Sequence, residues 1–275
     1  MDIYARTVAS AIINVFESGK PSGNIAAVSV IPGDSGGISF GRSQASLMSG
    51  SLYTLCNNYV QANGPMAEDL SQYLDRLSEK DTDLNTDQDF KALLKQLNDP
   101  VMAAIQDNFF ITGYWNPSVA ICTAKGFEKA LSAAVIYDSH IQGAYATIAN
   151  KIDNLPETDW ITSYIEHRKA WLLAKGGVLA GTVYRMETFE ALAENNWDLY
   201  LPLVAHGTAV TASIFPVLKA GDSGEMVGYL QQELGIDVTN SFDESTVVAV
   251  QAVQENAGNT VDSIVGPNTW SLILN

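Results

Sequence analysis

Apolar positions recur at helical spacing through most of residues 1–205. Ile3, Val8, Ile12, Val15 and Phe16 share roughly one face of a helix over 3–16. The same period returns at 46–62, 66–77, 86–97, 100–110, 159–175 and 184–195, and the long apolar region 118–150 predicts a central helix or two. Asn85-Thr86-Asp87 is a start signal for the 86–97 helix, Thr158 and Asp159 are cap candidates for 159–175, and Gly176-Gly177 ends or kinks it. Gly113 to Pro117 reads as a break. Two segments depart from the helical period. Residues 25–30 are rich in β-branched side chains, 36–41 follow a glycine-rich turn, and together they predict a small β-hairpin or sheet in a mainly α chain.

The composition changes near residue 206. Residues 206–216 are rich in Thr, Ala, Ser and Gly and end in Pro216, which predicts a linker. It separates a large domain, 1–205, from a small one, 217–275. From residue 213 onward Lys219 is the only basic residue, against eight acidic ones. No internal repeat stands out.

The formal charge is −16. Phosphate contacts need Lys and Arg, so duplex nucleic acid is an unfavourable partner. The acidity serves solubility, or attracts a cationic polymer. No run is long and apolar enough for membrane insertion, and the start Met1-Asp2-Ile3-Tyr4-Ala5-Arg6 carries no secretory signal pattern. Cys56 and Cys122 are too few for a disulfide framework and read as buried thiols. His140, His167 and His206 lack metal-ligand spacing, so no metal and no cofactor is expected.

The chemistry points to two carboxyl groups. Glu17 closes the apolar stretch of the first helix. Asp34 sits in Pro32-Gly33-Asp34-Ser35-Gly36-Gly37-Ile38-Ser39-Phe40-Gly41-Arg42. Glycoside hydrolysis needs one carboxyl that gives a proton to the leaving oxygen and another, ionised, that activates water. A helix end beside apolar residues and a turn rich in backbone N–H groups are environments that separate two carboxyls in this way. Spacing alone is weak, since the chain has 31 acidic residues. The glycines around Asp34 allow close approach to a ligand, and Ser39 offers a hydroxyl across a tight turn.

These residues resemble the catalytic region of glycoside hydrolase family 46, the chitosanases of the lysozyme superfamily. The resemblance implies Glu17 as general acid, Asp34 as general base and Ser39 as the hydroxyl that places the water. Tyr137-Asp138 and Tyr184-Arg185-Met186-Glu187-Thr188, followed by Asn196-Trp197-Asp198-Leu199, are similar to two further motifs of that family. They imply an ionic relay of Asp138, Arg168 and Arg185 behind the acid, and a lysozyme-like, two-lobed α domain. The loop departs from the family where Ser35-Gly36-Gly37 follows Asp34, and there it looks more like cell-wall lysozymes. Arg42 and Gln44 become candidate contacts to a sugar or peptide stem.

Residues 217–274 resemble a peptidoglycan-binding domain, a three-helix module. Leu230-Gln231, Leu234-Gly235, Gln254 and Val265-Gly266-Pro267-Asn268-Thr269-Trp270 carry the likeness. Gly-Pro starts a helix there, Asn268 or Thr269 is a cap candidate, and Trp270 anchors it in the core. The combined expectation is an inverting peptidoglycan hydrolase of the phage-endolysin kind. It would be monomeric, made in the cytoplasm, and act on the wall after release through a holin or a dedicated exporter. A chitosanase and a non-catalytic wall-binding protein are the alternatives.

Overall fold

A computed structural model describes residues 1–31, 35–42 and 44–274. Contacts divide the chain into two compact units, Glu17–Ile121 and the pair of segments Met1–Phe16 and Cys122–Asn275. Helix α1 (Ile3–Ser18) begins in one unit and ends in the other. Its buried residues include Val8, Ile12, Val15 and Phe16, as the apolar period predicts.

The Glu17–Ile121 unit holds a three-stranded antiparallel sheet of β1 (Val28–Ser29), β2 (Ser39–Phe40) and β3 (Ala45–Ser46), in that order. Its register separates two kinds of rung. Val28, Phe40 and Ala45 pair on one, and Ser29, Ser39 and Ser46 on the next. Successive strand residues point to opposite faces, so one rung is apolar and the other is all serine. The expected hairpin is therefore a sheet, with a third strand where the helix over 46–62 was expected to start. Helix α2 (Ser51–Gln61) begins later because Gly50 is left-handed at φ 82°. Before it, the Ser51 hydroxyl accepts from the Ser46 amide at 2.9 Å.

Helix α3 (Gln88–Gln96) is capped by Asp87, whose carboxylate accepts from the Phe90 amide at 3.0 Å. Helix α4 (Pro100–Phe110) starts with Pro100 in its first turn, and Asp99 accepts from the Val101 and Met102 amides. The region 66–77 splits into two short helices, Ala67–Ser71 and Leu74–Ser78. The break expected at Gly113 to Pro117 is instead a π-helical turn, Ile111–Trp115, running into α5 (Asn116–Lys125). Glycine costs a helix only about 1 kcal/mol, and Pro117 follows directly on the wider π-helical turn, where the regular bonding ladder is already interrupted.

In the other unit, α6 (Ala130–Ile141) is buried along ten successive residues, Ala130 to Ser139. A helix apolar on all sides belongs at the centre of a core. Its own N-cap makes no side-chain bond. Glu157 supplies it from α7 (Glu157–Lys175), accepting from the amides of Glu128 and Lys129 and from the Ser132 hydroxyl. Thr158 and Asp159, the cap candidates, lie inside the first turn of α7. Gly176 ends α7 at φ 69°, and α8 (Tyr184–Ala193) follows. Cys56 and Cys122 are free and buried, and burial pushes both thiols up to about 12. Among the described residues no helix is long and apolar enough to cross a membrane.

The segment 206–216, expected as a linker, is built into the fold. Strands β4 (Leu203–Ala205) and β5 (Thr208–Val210) form a hairpin around His206 and Gly207, a 3₁₀ turn follows over Ala212–Ile214, and Ala212 and Phe215 are buried. Phe215 stacks on Tyr4 of α1, with ring centroids 5.9 Å apart. The small domain contains α9 (Glu225–Glu233), α10 (Glu244–Asn256) and α11 (Pro267–Ile273). Trp270 is fully buried and donates through Nε1 to the Pro216 carbonyl at 2.8 Å. The N-cap of α11 is Gly266, while Thr269, a cap candidate, turns inward.

This domain contains a repeat that the sequence reading missed. Gln231 accepts from the amides 8 and 9 positions later, Thr239 and Asn240, and donates to the Thr246 hydroxyl 15 positions later. Gln254 does the same at the same three offsets, to Asp262, Ser263 and Thr269. Each buried amide thus pins the loop after its helix and the first turn of the next. Buried polar groups persist where they are fully bonded.

Asp243 caps α10. Bonds from the Ser245 hydroxyl and the Thr246 amide hold its carboxyl well below the usual carboxylate range. A depressed folded-state value stabilises the fold above the unfolded value of roughly 3.9, and the benefit is lost as pH falls through the folded value. Asp243→Asn keeps a capping oxygen but loses the charge. Its melting temperature should therefore fall less than that of the parent chain on lowering the pH from about 5 to about 2, as read by circular dichroism.

Candidate active site

Glu17 is the penultimate residue of α1 and is exposed. The residue before it is held tightly. The Phe16 ring meets Tyr184 and Phe189 edge-on, at 5.7 and 5.5 Å between centroids. The Tyr184 hydroxyl donates to the Phe16 carbonyl at 3.0 Å. His206, at the tip of the β4–β5 hairpin, packs on the Tyr184 ring at 4.1 Å. Phe16 is therefore held by α8, and α8 in turn is packed on by the segment expected as a linker.

Behind Phe16 lies a buried ion pair. Arg185 donates through Nε and Nη2 to Asp138 Oδ1, at 2.9 and 2.6 Å. Asp138 is 0 % and Arg185 3 % exposed. The Arg185 guanidinium also lies 4.8 Å from the centre of the Phe16 ring, a cation–π distance. Of the three expected relay members, the structure joins these two. Arg168 is buried as well, but it donates through Nη1 to the Gly143 carbonyl at 2.9 Å, and no ion pair involves it among the described residues. The acceptor is a backbone carbonyl just past the end of α6, and the Arg168 Nε is buried without a hydrogen-bond partner among the described residues.

Asp34 lies outside the described residues, as do Pro32, Gly33 and Ser43. The chain on either side of Ser39 is anchored. Asn85 Oδ1 accepts from the Ile38 amide at 2.6 Å. Ser39 is 9 % exposed, with its hydroxyl 2.9 Å from that of Ser29 and 3.0 Å from Gln44 Oε1. Gln44 and Arg42, expected as ligand contacts, are both engaged within the protein. Gln44 accepts from Ser29 at 2.6 Å and donates through Nε2 to the Gly41 carbonyl at 2.9 Å. Arg42 bonds Asp107 at 2.6 Å and the Ala103 carbonyl at 3.1 Å.

Gln106 was overlooked in sequence. It is fully buried, accepts from the Arg42 amide at 2.9 Å and donates to the Ile25 carbonyl at 2.8 Å. The signal was present: Met102, Gln106 and Phe110 occupy one buried stripe of α4, and a lone amide there needs partners. Tyr184 and Ser29 carried no such signal, because their partners lie across the fold.

Removing one partner of a buried ion pair strands the other charge. Arg185→Met should destabilise the fold by roughly 3–5 kcal/mol, and Asp138→Leu with Arg185→Met should recover most of that loss. Urea denaturation of the two variants and the parent chain measures both.

Comparison with known proteins comes from two directions. Residues 225–273 match the family described as "Putative peptidoglycan binding domain". No curated protein matches the chain. Among solved structures, native chitosanase from Bacillus subtilis MY002 superposes with a TM-score of 0.64 at 22% identity, covering 77% of this chain and 100% of that one. The GH46 chitosanase of Gynuella sunshinyii in complex with chitotetraose gives a TM-score of 0.63 at 19% identity, covering 76% and 98%. The chain thus has the fold of these chitosanases over about three quarters of its length, and it carries a peptidoglycan-binding domain at its C-terminal end.

Proposed function

We propose that the chain is a glycoside hydrolase that cuts the glycan strand of peptidoglycan by inverting acid–base hydrolysis. The observation that carries this reading is the peptidoglycan-binding match at 225–273, in a chain that otherwise has a chitosanase fold with Glu17 at the end of its first helix. Glu17 gives its proton to the glycosidic oxygen as the bond to the anomeric carbon breaks, and the electron pair stays on that oxygen. Water attacks the same carbon from the opposite face and loses its proton to Asp34. Ser39 holds the water.

A chitosanase is the second reading. It is favoured by the fold likeness to chitosanases and by the charge of −16, which suits a cationic polymer. The departure at Ser35-Gly36-Gly37 weighs toward the wall.

Purified peptidoglycan and chitosan, each incubated with the protein and followed by mass spectrometry of the fragments, separate the readings. Reducing-end fragments from peptidoglycan are expected. Fragments from chitosan alone would establish the second reading, and no cleavage of either would leave a wall-binding protein. Glu17→Gln cannot donate a proton and should lower turnover by roughly 10²–10⁴-fold, as should Asp34→Asn. Full activity in either variant would remove that residue from its role.

A further inference from the structure

The serine rung of the small sheet carries a hydrogen-bond triangle. Its corners are Ser29 Oγ, Ser39 Oγ and Gln44 Oε1. The edges are 2.9 Å between the serines, 2.6 Å from Ser29 to Gln44 and 3.0 Å from Ser39 to Gln44. The orientation of the Gln44 amide is settled at its other end. Nε2 donates to the Gly41 carbonyl at 2.9 Å, and a carbonyl only accepts. The amide oxygen therefore faces the two serines, and it too only accepts.

Two hydroxyl protons must serve three short contacts. The proton of Ser29 lies on the shortest, toward Gln44. If the proton of Ser39 turned outward, both contacts of Ser39 within the triangle would face oxygen against oxygen without a proton. Pointing inward, to Gln44 or to Ser29, it relieves one of them. Ser39 then presents lone pairs, and no proton, to anything that approaches from outside.

The turn that carries Gln44 is built to hold this arrangement. Gln44 is left-handed at φ 49°, an unfavourable conformation for a residue with a side chain. Gly41 is at φ 78°, and a Cβ there would lie 2.6 Å from the Gln106 amide. Gln106 bonds the Arg42 amide from below, and the Arg42 side chain is tied to Asp107. Local strain held by surrounding bonds is a mark of functional loops.

We propose that Gln44, with Ser29, locks the Ser39 hydroxyl as a hydrogen-bond acceptor toward the attacking water. This rests on the reading above, in which Asp34 is the base and Ser39 holds the water. A water that donates to Ser39 keeps its lone pairs for the anomeric carbon and for nothing else. A donating Ser39 would occupy a lone pair of the nucleophile and slow attack. Gln44 is a positioning residue that acts through Ser39.

The test is a double-mutant cycle in the full chain, using whichever of purified peptidoglycan and chitosan the parent protein cleaves. Gln44→Leu should lower kcat roughly 10- to 100-fold with KM within about twofold, the signature of lost positioning. In a Ser39→Ala background the same substitution should change kcat by less than about twofold, because the hydroxyl it acts through is gone. Gln44→Glu accepts from both serines and should stay within about fivefold of the parent on the pH plateau. Additive losses, a loss confined to KM, or Gln44→Glu no better than Gln44→Leu would overturn the proposal. Should Gln44→Leu fail to fold, Gln44→Glu decides: retained kcat supports the lock and a Leu-sized loss refutes it. Glu17→Gln runs alongside. If it is inactive while the cycle is additive, only the lock fails, and if it is fully active the hydrolase assignment of the site fails.

Discussion

A carboxylate sealed inside a central helix must find a cation, and Asp138 finds Arg185. Ten successive residues of α6 are buried, and Asp138 is the one formal charge among them. Its partner sits on α8 beside Tyr184, which bonds the carbonyl of Phe16. The Arg185 guanidinium lies on the Phe16 ring. One ion pair thus ties the central helix to α8, and α8 holds Phe16 of α1. Such a pair earns little net stability, because desolvation offsets most of its Coulombic gain. What the pair does is link the two helices that carry it.

Much of the helical architecture was legible because a buried stripe imposes its period on the sequence. The 100–110 helix, with Pro100 opening it, is found where the pattern puts it. The misreadings share a cause. Gly113 and Pro117 look like a break when judged singly, yet each occupies a helical position that tolerates it. Residues 206–216 look like a linker because small and polar residues also build tight hairpins. The repeat in the small domain escaped notice because it is written in hydrogen bonds. Gln231 and Gln254 recur with their offsets, but few neighbouring side chains do.

The candidate site divides in the same way. Glu17 at a helix end and the Asp138–Arg185 pair follow from local sequence and its likeness to a family. The contacts of Ser29, Gln44 and Gln106 do not, since they depend on strand register and on a helix that arrives some sixty positions later in the chain, 64 between Arg42 and Gln106. Arg168, carried over by position, bonds a backbone carbonyl in the structure. Within the sheet, polar side chains are used on one another. That economy makes a preorganised hydroxyl more valuable than a free one, since a reaction centre gains from groups that need not reorganise.

The small domain shares its hydrophobic cluster with Ile3 and Tyr4. Tyr4 stacks on Phe215, and Arg6 pairs with Glu225. A module on a flexible tether can be exchanged for another of its kind, because a tether transmits only local concentration. Here the first turns of α1 and the face of the module are complementary halves of one surface. Replacing the module with a relative would leave Tyr4 and Arg6 without their partners. A change on either side of that surface is therefore felt by the other, and the module is coupled to α1 by packing as well as by the chain.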